Sequence, residues 1–232
     1  GFAMPTIKLK KLAGALALAA VSVVAHAEEA VLDIYLARHG QTAWNLEKRL
    51  QGATDNVLNE TGKGQARQLG DTLKGVGFSA VYASSLARAR ETATLAAPGV
   101  THTPLPALAE RSFGKFEGMF EDGRDASLGA EFKARAGNPD DTLDGGESLN
   151  SQARRVAQAV EQIRSSHKKG SVLVVSHGGV TPLILAHLLQ LPASEAATRI
   201  KQANDEVYLV RIRGQQPVQT WKLIGKDALE QL

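Results

Sequence analysis

Two apolar runs, far apart in the chain, end in the same dipeptide. Val31-Leu32-Asp33-Ile34-Tyr35-Leu36 leads through Ala37 into Arg38-His39-Gly40. Ser171-Val172-Leu173-Val174-Val175 leads through Ser176 into His177-Gly178. Each run is short, rich in β-branched or aromatic residues and closed by a glycine, the pattern of a buried strand. The unbroken apolar stretch in the second predicts a strand covered on both faces. Such strands belong to a sheet with helices on each side, and ligands bind such sheets at the carboxyl ends of the strands. Packing alone does not require two histidine–glycine pairs at one sheet edge. The pattern predicts an α/β chain, a three-layer α/β/α sandwich with a mostly parallel sheet and a site at that edge.

Arg38 offers beside His39 a planar fork suited to phosphate or carboxylate, and Gly40 would let backbone approach a ligand closely. An imidazole flanked in this way is a candidate nucleophile towards phosphorus. Residues 49–62 are polar and glycine-punctuated, a loop that should run into a helix capped by Asn59 or Thr61. Ala66, Leu69, Leu73 and Val76 give that helix its apolar face. Residues 78–84 read as a short strand. A helix then opens with Ser84 or Ser85 as cap and Arg88 in its first turn, where free N–H groups and the helix dipole favour an anion. Arg90 lies off that face and reads as structural. Residues 101–103 suggest a brief strand, broken by Pro104 and Pro106.

Residues 112–146 lack sustained periodicity and read as a long, lid-like excursion with eight acidic and four basic side chains. Gly146-Glu147-Ser148 opens the clearest helix. Leu149, Ala153, Val156, Ala157, Val160 and Ile163 make its buried stripe, Arg154, Arg155, Gln158, Glu161 and Arg164 face away, and Gly170 ends it. Thr181 as cap and Pro182 at the first helical position start another helix through Leu189. Residues 206–212 and 218–223 form a hairpin at the sheet's edge.

The net charge of +3 invites a nucleic-acid reading, but Lys8, Lys10 and Lys11 supply the whole excess. Without them the chain is formally neutral, which gives no support to a polyanion-binding surface. Those lysines precede an apolar run and Ala25-His26-Ala27, together the pattern of a secretory signal peptide cleaved after Ala27. Gly1-Phe2-Ala3 ahead of Met4 looks like an expression scar. The expected organisation is scar plus signal peptide over 1–27 and one domain over 28–232, placing the mature protein in the periplasm or outside the cell. There is no cysteine, which excludes disulfides, zinc–thiolate sites and a lipid-attached cysteine.

Several stretches resemble one family. Arg38-His39-Gly40-x-Thr42-x-x-Asn45 is similar to the opening motif of the histidine phosphatase superfamily, also called phosphoglycerate mutase-like. Gln51-Gly52, the run from Ser84 to Ala93, Leu108-x-Glu110-x-x-Phe113-Gly114-x-x-Glu117-Gly118 and Ser176-His177-Gly178-Gly179 match its later segments. The resemblance covers nearly everything after the first thirty residues. It departs at Val57, where proline is common, and at Asn59, where threonine is common.

The resemblance implies that His39 attacks phosphorus and becomes a phosphohistidine, with its other ring nitrogen held by a backbone carbonyl. It implies that Arg38, Arg88 and His177 neutralise the phosphoryl oxygens and that Asn45 adds a neutral donor. Gly40, Gln51, Gly52 and Gly178 would line the phosphate site, and Glu110 would protonate the leaving group and then activate water. No metal or other cofactor is implied. The expected function is hydrolysis of a small phosphorylated substrate. The alternatives are a mutase, for which Lys133 and Arg135 are thin substitutes for the family's paired arginines, and a phospho-ligand binding protein without turnover.

Overall fold

The computed structural model describes residues 29–232. The signal peptide expected over 1–27 lies outside the described residues.

β1 (Val31–Arg38) and β4 (Gly170–Ser176) are parallel neighbours, in register from Leu32 opposite Gly170 to Arg38 opposite Ser176. His39 and His177 therefore leave the sheet side by side, and the His39 N–H still donates to the Ser176 carbonyl at 2.9 Å. Beyond β4 the parallel set continues with β2 (Ala80–Ser84) and β3 (Thr103–Leu105). On the far side of β1, antiparallel pairings add β5 (Val207–Arg213), β6 (Gln219–Ile224) and β7 (Glu230–Gln231), giving the order β3-β2-β4-β1-β5-β6-β7. β1, β2, β3, β4 and β6 run one way, and β5 and β7 the other. The expected hairpin is β5–β6, but β7 and not β6 closes the sheet. Pro104 lies inside β3 and does not break it, because an edge strand accommodates a residue without an N–H.

Side chains alternate across the two central strands and build a core on each face. Leu32, Ile34, Leu36, Val172 and Val174 face α5 (Leu149–Ser166) and α6 (Thr181–Leu189), meeting Val156, Val160, Ile163, Leu183 and Ile184. Ala37, Leu173 and Val175 face the layer of α2 (Glu60–Thr72) and α3 (Ala87–Ala96), meeting Leu73, Ala89 and Ala93. β4 is thus covered on both faces. Burying a valine, leucine or isoleucine is worth roughly 1.5–3 kcal/mol, so these two cores fix the helices to the sheet edge that carries the histidines.

Local signals held in part. Asn59 caps α2, accepting the Gly62 N–H at 2.8 Å. α3 does not use its serines: Leu86 occupies the cap position, and the Ala87 N–H goes to Asp55 Oδ1 at 2.7 Å. Thr181 is the first residue of α6 and not its cap, and Pro182 is the second. α5 ends at Ser166, while Gly170 begins β4 with φ +92°. Along α5, Gln152 and Ala159 are buried, and Arg155 is turned inward rather than away.

The 112–146 excursion contains a 3₁₀ turn (Gly114–Phe116) and a helix, α4 (Ala126–Ala136), that periodicity did not reveal. None of α4's residues is fully buried. Phe132 anchors it on Phe113 and Phe116, with ring centroids 5.7 and 5.2 Å apart. Arg135 ties it to Asp141 and Asp144, each at 2.8 Å. Two further short helices, α1 (Ala43–Leu46) and α7 (Ala193–Arg199), were also unforeseen.

Candidate active site

A cleft of about 710 Å³ opens at the carboxyl ends of β1 and β4. Arg38, His39, Asn45, Arg88, Glu110 and Gly178 line it, with Gln51 and Gly52 on the same wall. His39 is 2 % exposed. Its Nδ1 lies 2.7 Å from the Gly40 carbonyl, which can only accept, so Nδ1 carries the proton and Nε2 keeps its lone pair. The expected backbone partner is therefore that of the next residue. Burial, then the charges of Arg38 and Arg88, hold the imidazole well below its ordinary range and so neutral.

Arg88 is 1 % exposed in the first turn of α3. Its two terminal nitrogens donate to the carbonyls of Thr54 and Gly52, each at 2.6 Å, and its Nε has no partner among the described residues. Asp55 takes the first N–H of α3, so the cation at this corner is the guanidinium and not a free helix end. Arg88 is pushed down to about 10, chiefly by burial, and stays charged at neutral pH. Arg38 donates Nη1 to the Gln202 carbonyl, and its Nε too has no partner among the described residues. A Cβ on Gly178 would stand 3.0 Å from the Arg38 guanidinium carbon, so glycine there keeps that side chain in place.

Glu110 faces the same cleft from the loop after β3. Its Oε1 accepts from the Arg111 N–H at 2.8 Å and Gln152 Nε2 at 3.1 Å, and its Oε2 from the Gly179 N–H at 3.0 Å. Arg155 braces this loop through the carbonyls of Ala107 and Ala109, at 2.8 and 2.7 Å. Asn45 Oδ1 accepts the Thr42 N–H at 3.1 Å in a capping box, which leaves its amide N–H groups for the cleft. The Gln51 Oε1 accepts from Thr42 Oγ1 at 2.7 Å.

Two expected members stand behind the wall. His177 is fully buried, its ring centroid 5.2 Å from that of His39. Burial, then Arg88, His39 and Arg38, push it well below the ordinary imidazole range. Gly40 does not line the cleft: a Cβ on it would overlap the Gly62 carbonyl, so its role is to let the start of α2 approach β1. Sequence reasoning missed Gln152 and Arg155, which hold the Glu110 loop. It also missed Asn204, whose amide donates to the His39 carbonyl at 2.8 Å. An apolar stripe gives no signal for a glutamine turned into it, nor does a loop for a single asparagine.

A histidine held neutral by burial and by the charges of Arg38 and Arg88, with Nε2 unprotonated and a carboxylate across the cleft, is an arrangement suited to phosphoryl transfer. The family model of the histidine phosphatase superfamily (branch 1) matches residues 34–223. The chain belongs to that superfamily. It is 37% identical over 198 residues to a metal-independent phosphoserine phosphatase of Arabidopsis thaliana, covering 81% of this chain and 79% of the relative. It is 34% identical over 177 residues to a probable phosphoglycerate mutase GpmB of Erwinia tasmaniensis, covering 75% of this chain and 82% of that one. Among solved structures, a putative α-ribazole-5′-phosphate phosphatase of Escherichia coli superimposes with a TM-score of 0.74 at 26% identity, over 86% of this chain and 98% of that one. A mycobacterial glucosyl-3-phosphoglycerate phosphatase in complex with vanadate does so with a TM-score of 0.70 at 27% identity, over 77% and 92%.

Proposed function

We propose that this protein is a phosphomonoesterase that needs no metal and works through a phosphohistidine on His39. The observation that carries the reading is the His39 Nδ1 contact with the Gly40 carbonyl, which leaves Nε2 unprotonated in a cleft lined by Arg38 and Arg88. Nε2 attacks phosphorus as the bond to the alcohol oxygen breaks, and Glu110 gives that oxygen its proton. Water then attacks phosphorus as the P–Nε2 bond breaks, and it loses a proton to the Glu110 carboxylate, so that phosphate is released and neutral His39 and protonated Glu110 are restored. Arg38 and Arg88 supply the positive charge that divalent ions supply in other phosphoryl-transfer sites.

Hydrolysis is favoured over a mutase because two cations of the excursion, Lys133 and Arg135, are not offered to the cleft; Lys201 lines it from another element. A mutase must also hold the substrate's carboxylate. Arg135 is committed to Asp141 and Asp144, and Lys133 does not line the cleft. Arg49 donates to the Gly118 carbonyl at 2.9 Å and packs against the rings of Trp44 and Phe120. A binding protein without turnover would have no need of His39, Arg88, Glu110 and His177 together, and all four are here. The signal-like segment over 1–27 supports action in the periplasm or outside the cell, on a small phosphorylated substrate.

The test is phosphate release from p-nitrophenyl phosphate in EDTA. Turnover that survives the chelator and disappears in His39→Ala supports the reading, and turnover that persists in His39→Ala removes it.

A further inference from the structure

Ser84 ends β2 and is wholly buried, and its hydroxyl oxygen lies 2.7 Å from Nε2 of His177. The hydroxyl already accepts the Leu86 N–H at 3.3 Å. Its own proton remains to be placed, and His177 Nε2 is the acceptor within reach. If Nε2 carried a proton, two buried groups would go unpaired, the Ser84 hydroxyl proton and the Nδ1 lone pair, whereas with Ser84 donating to Nε2 only the Nδ1–H does. Ser84 is therefore the donor, Nε2 keeps its lone pair, and the ring's one proton is on Nδ1. That Nδ1 is inaccessible to solvent and has no partner among the described residues. With Nε2 committed to Ser84, Nδ1 is the ring nitrogen whose hydrogen is still unpaired, on a ring whose centroid lies 5.2 Å from that of His39.

We propose that Ser84 is a positioning residue that locks His177 as its Nδ1–H tautomer, so that a neutral N–H, and not an imidazolium, meets the phosphoryl group. The proposal rests on the phosphatase reading for its consequence but not for its geometry. It also revises the charged role that the family resemblance implies for His177. The surroundings agree: with His39, Arg38 and Arg88 packed around the ring, a third full positive charge is disfavoured even before substrate binds. It further explains why Ser84, one of the two serines offered as cap by sequence, leaves the start of α3 to Asp55.

The experiment is a long-range ¹H–¹⁵N correlation spectrum of ¹⁵N-histidine-labelled protein at pH 7, with His177 assigned by its loss in His177→Gln. The expected spectrum shows a protonated Nδ1 and an unprotonated Nε2. Ser84→Ala should lose this single tautomer and bind orthovanadate about ten- to a hundredfold more weakly, and Ser84→Thr, which keeps the hydroxyl, should recover both. A protonated Nε2 in the unaltered protein overturns the proposal, as does Ser84→Ala with tautomer and vanadate affinity unchanged. If Ser84→Ala fails to fold, the spectrum of the unaltered protein still decides. Because the tautomer is read without turnover, the two readings fail separately. A protein that hydrolyses esters with Nε2 protonated rejects only the role of Ser84, and one with Nδ1 protonated but no turnover rejects only the phosphatase reading.

Discussion

One carboxylate oxygen of Glu110 accepts the backbone N–H of Gly179 at 3.0 Å, which ties the proposed proton donor to the loop that carries His177. The tie leaves little room: a Cβ on Gly179 would stand 2.5 Å from the Glu110 carboxylate. Glu110→Gln keeps the shape and removes the proton donor. It should lower kcat about 10²- to 10⁴-fold on an alkyl phosphate, whose alkoxide needs a proton. On p-nitrophenyl phosphate, whose leaving group needs none, the loss in the first step should be much smaller. Comparing kcat/KM, which reports the first step alone, for the two esters in the variant checks this, and equal losses there would remove Glu110 as the acid.

Arg88 holds the 52–54 loop with both terminal nitrogens and still keeps its charge in the cleft. A lysine offers a point charge without the fork. Arg88→Lys should therefore lower kcat/KM about a hundredfold or more, although the net charge is unchanged. Steady-state kinetics on any accepted ester reads this directly.

The two buried histidines make stability depend on pH. Both are neutral in the folded protein with their proton affinity depressed, whereas in the unfolded chain each titrates near the ordinary value of about 6.5. Below that pH the unfolded state binds more protons than the folded one, so stability falls as pH falls. Each histidine adds a slope of about 1.4 kcal/mol per pH unit until its depressed native value is reached. Urea unfolding between pH 7.5 and about 5 should show this loss, and His39→Asn should reduce the slope by one histidine's share.

Asn59 is the cap whose sequence signal and geometry agree. Asn59→Ala should cost about 1 kcal/mol of unfolding free energy by urea titration, with little change in kinetics, since Asn59 holds α2 and does not line the cleft.

What could be read from the sequence follows from where the physics is local. β4 was legible because Val172, Val174, Leu173 and Val175 are all core residues, and a strand buried on both faces shows as an unbroken apolar run. α5 was legible because Val156, Val160 and Ile163 recur at helical spacing. α4 was not, since Phe132 and the ion pairs of Arg135, rather than an apolar stripe, hold it. Gly40 was legible as a close approach, but not which approach: it meets Gly62, twenty-two residues on, and not a ligand. Arg155 looked like a solvent-facing arginine because the carbonyls it braces, those of Ala107 and Ala109, come from a distant loop. The cleft residues Arg38, His39, Arg88 and Glu110 were legible through family resemblance, whereas their supports Gln152 and Asn204 were not.

The central claim is that His39 Nε2 forms a bond to phosphorus. Rapid quenching into alkali during turnover of a ³²P-labelled ester tests it most directly, because phosphohistidine survives base and is lost in acid. The account predicts alkali-stable, acid-labile label on the peptide that contains His39, and none on His39→Ala. Turnover without label on that peptide, or label retained by His39→Ala, would contradict it.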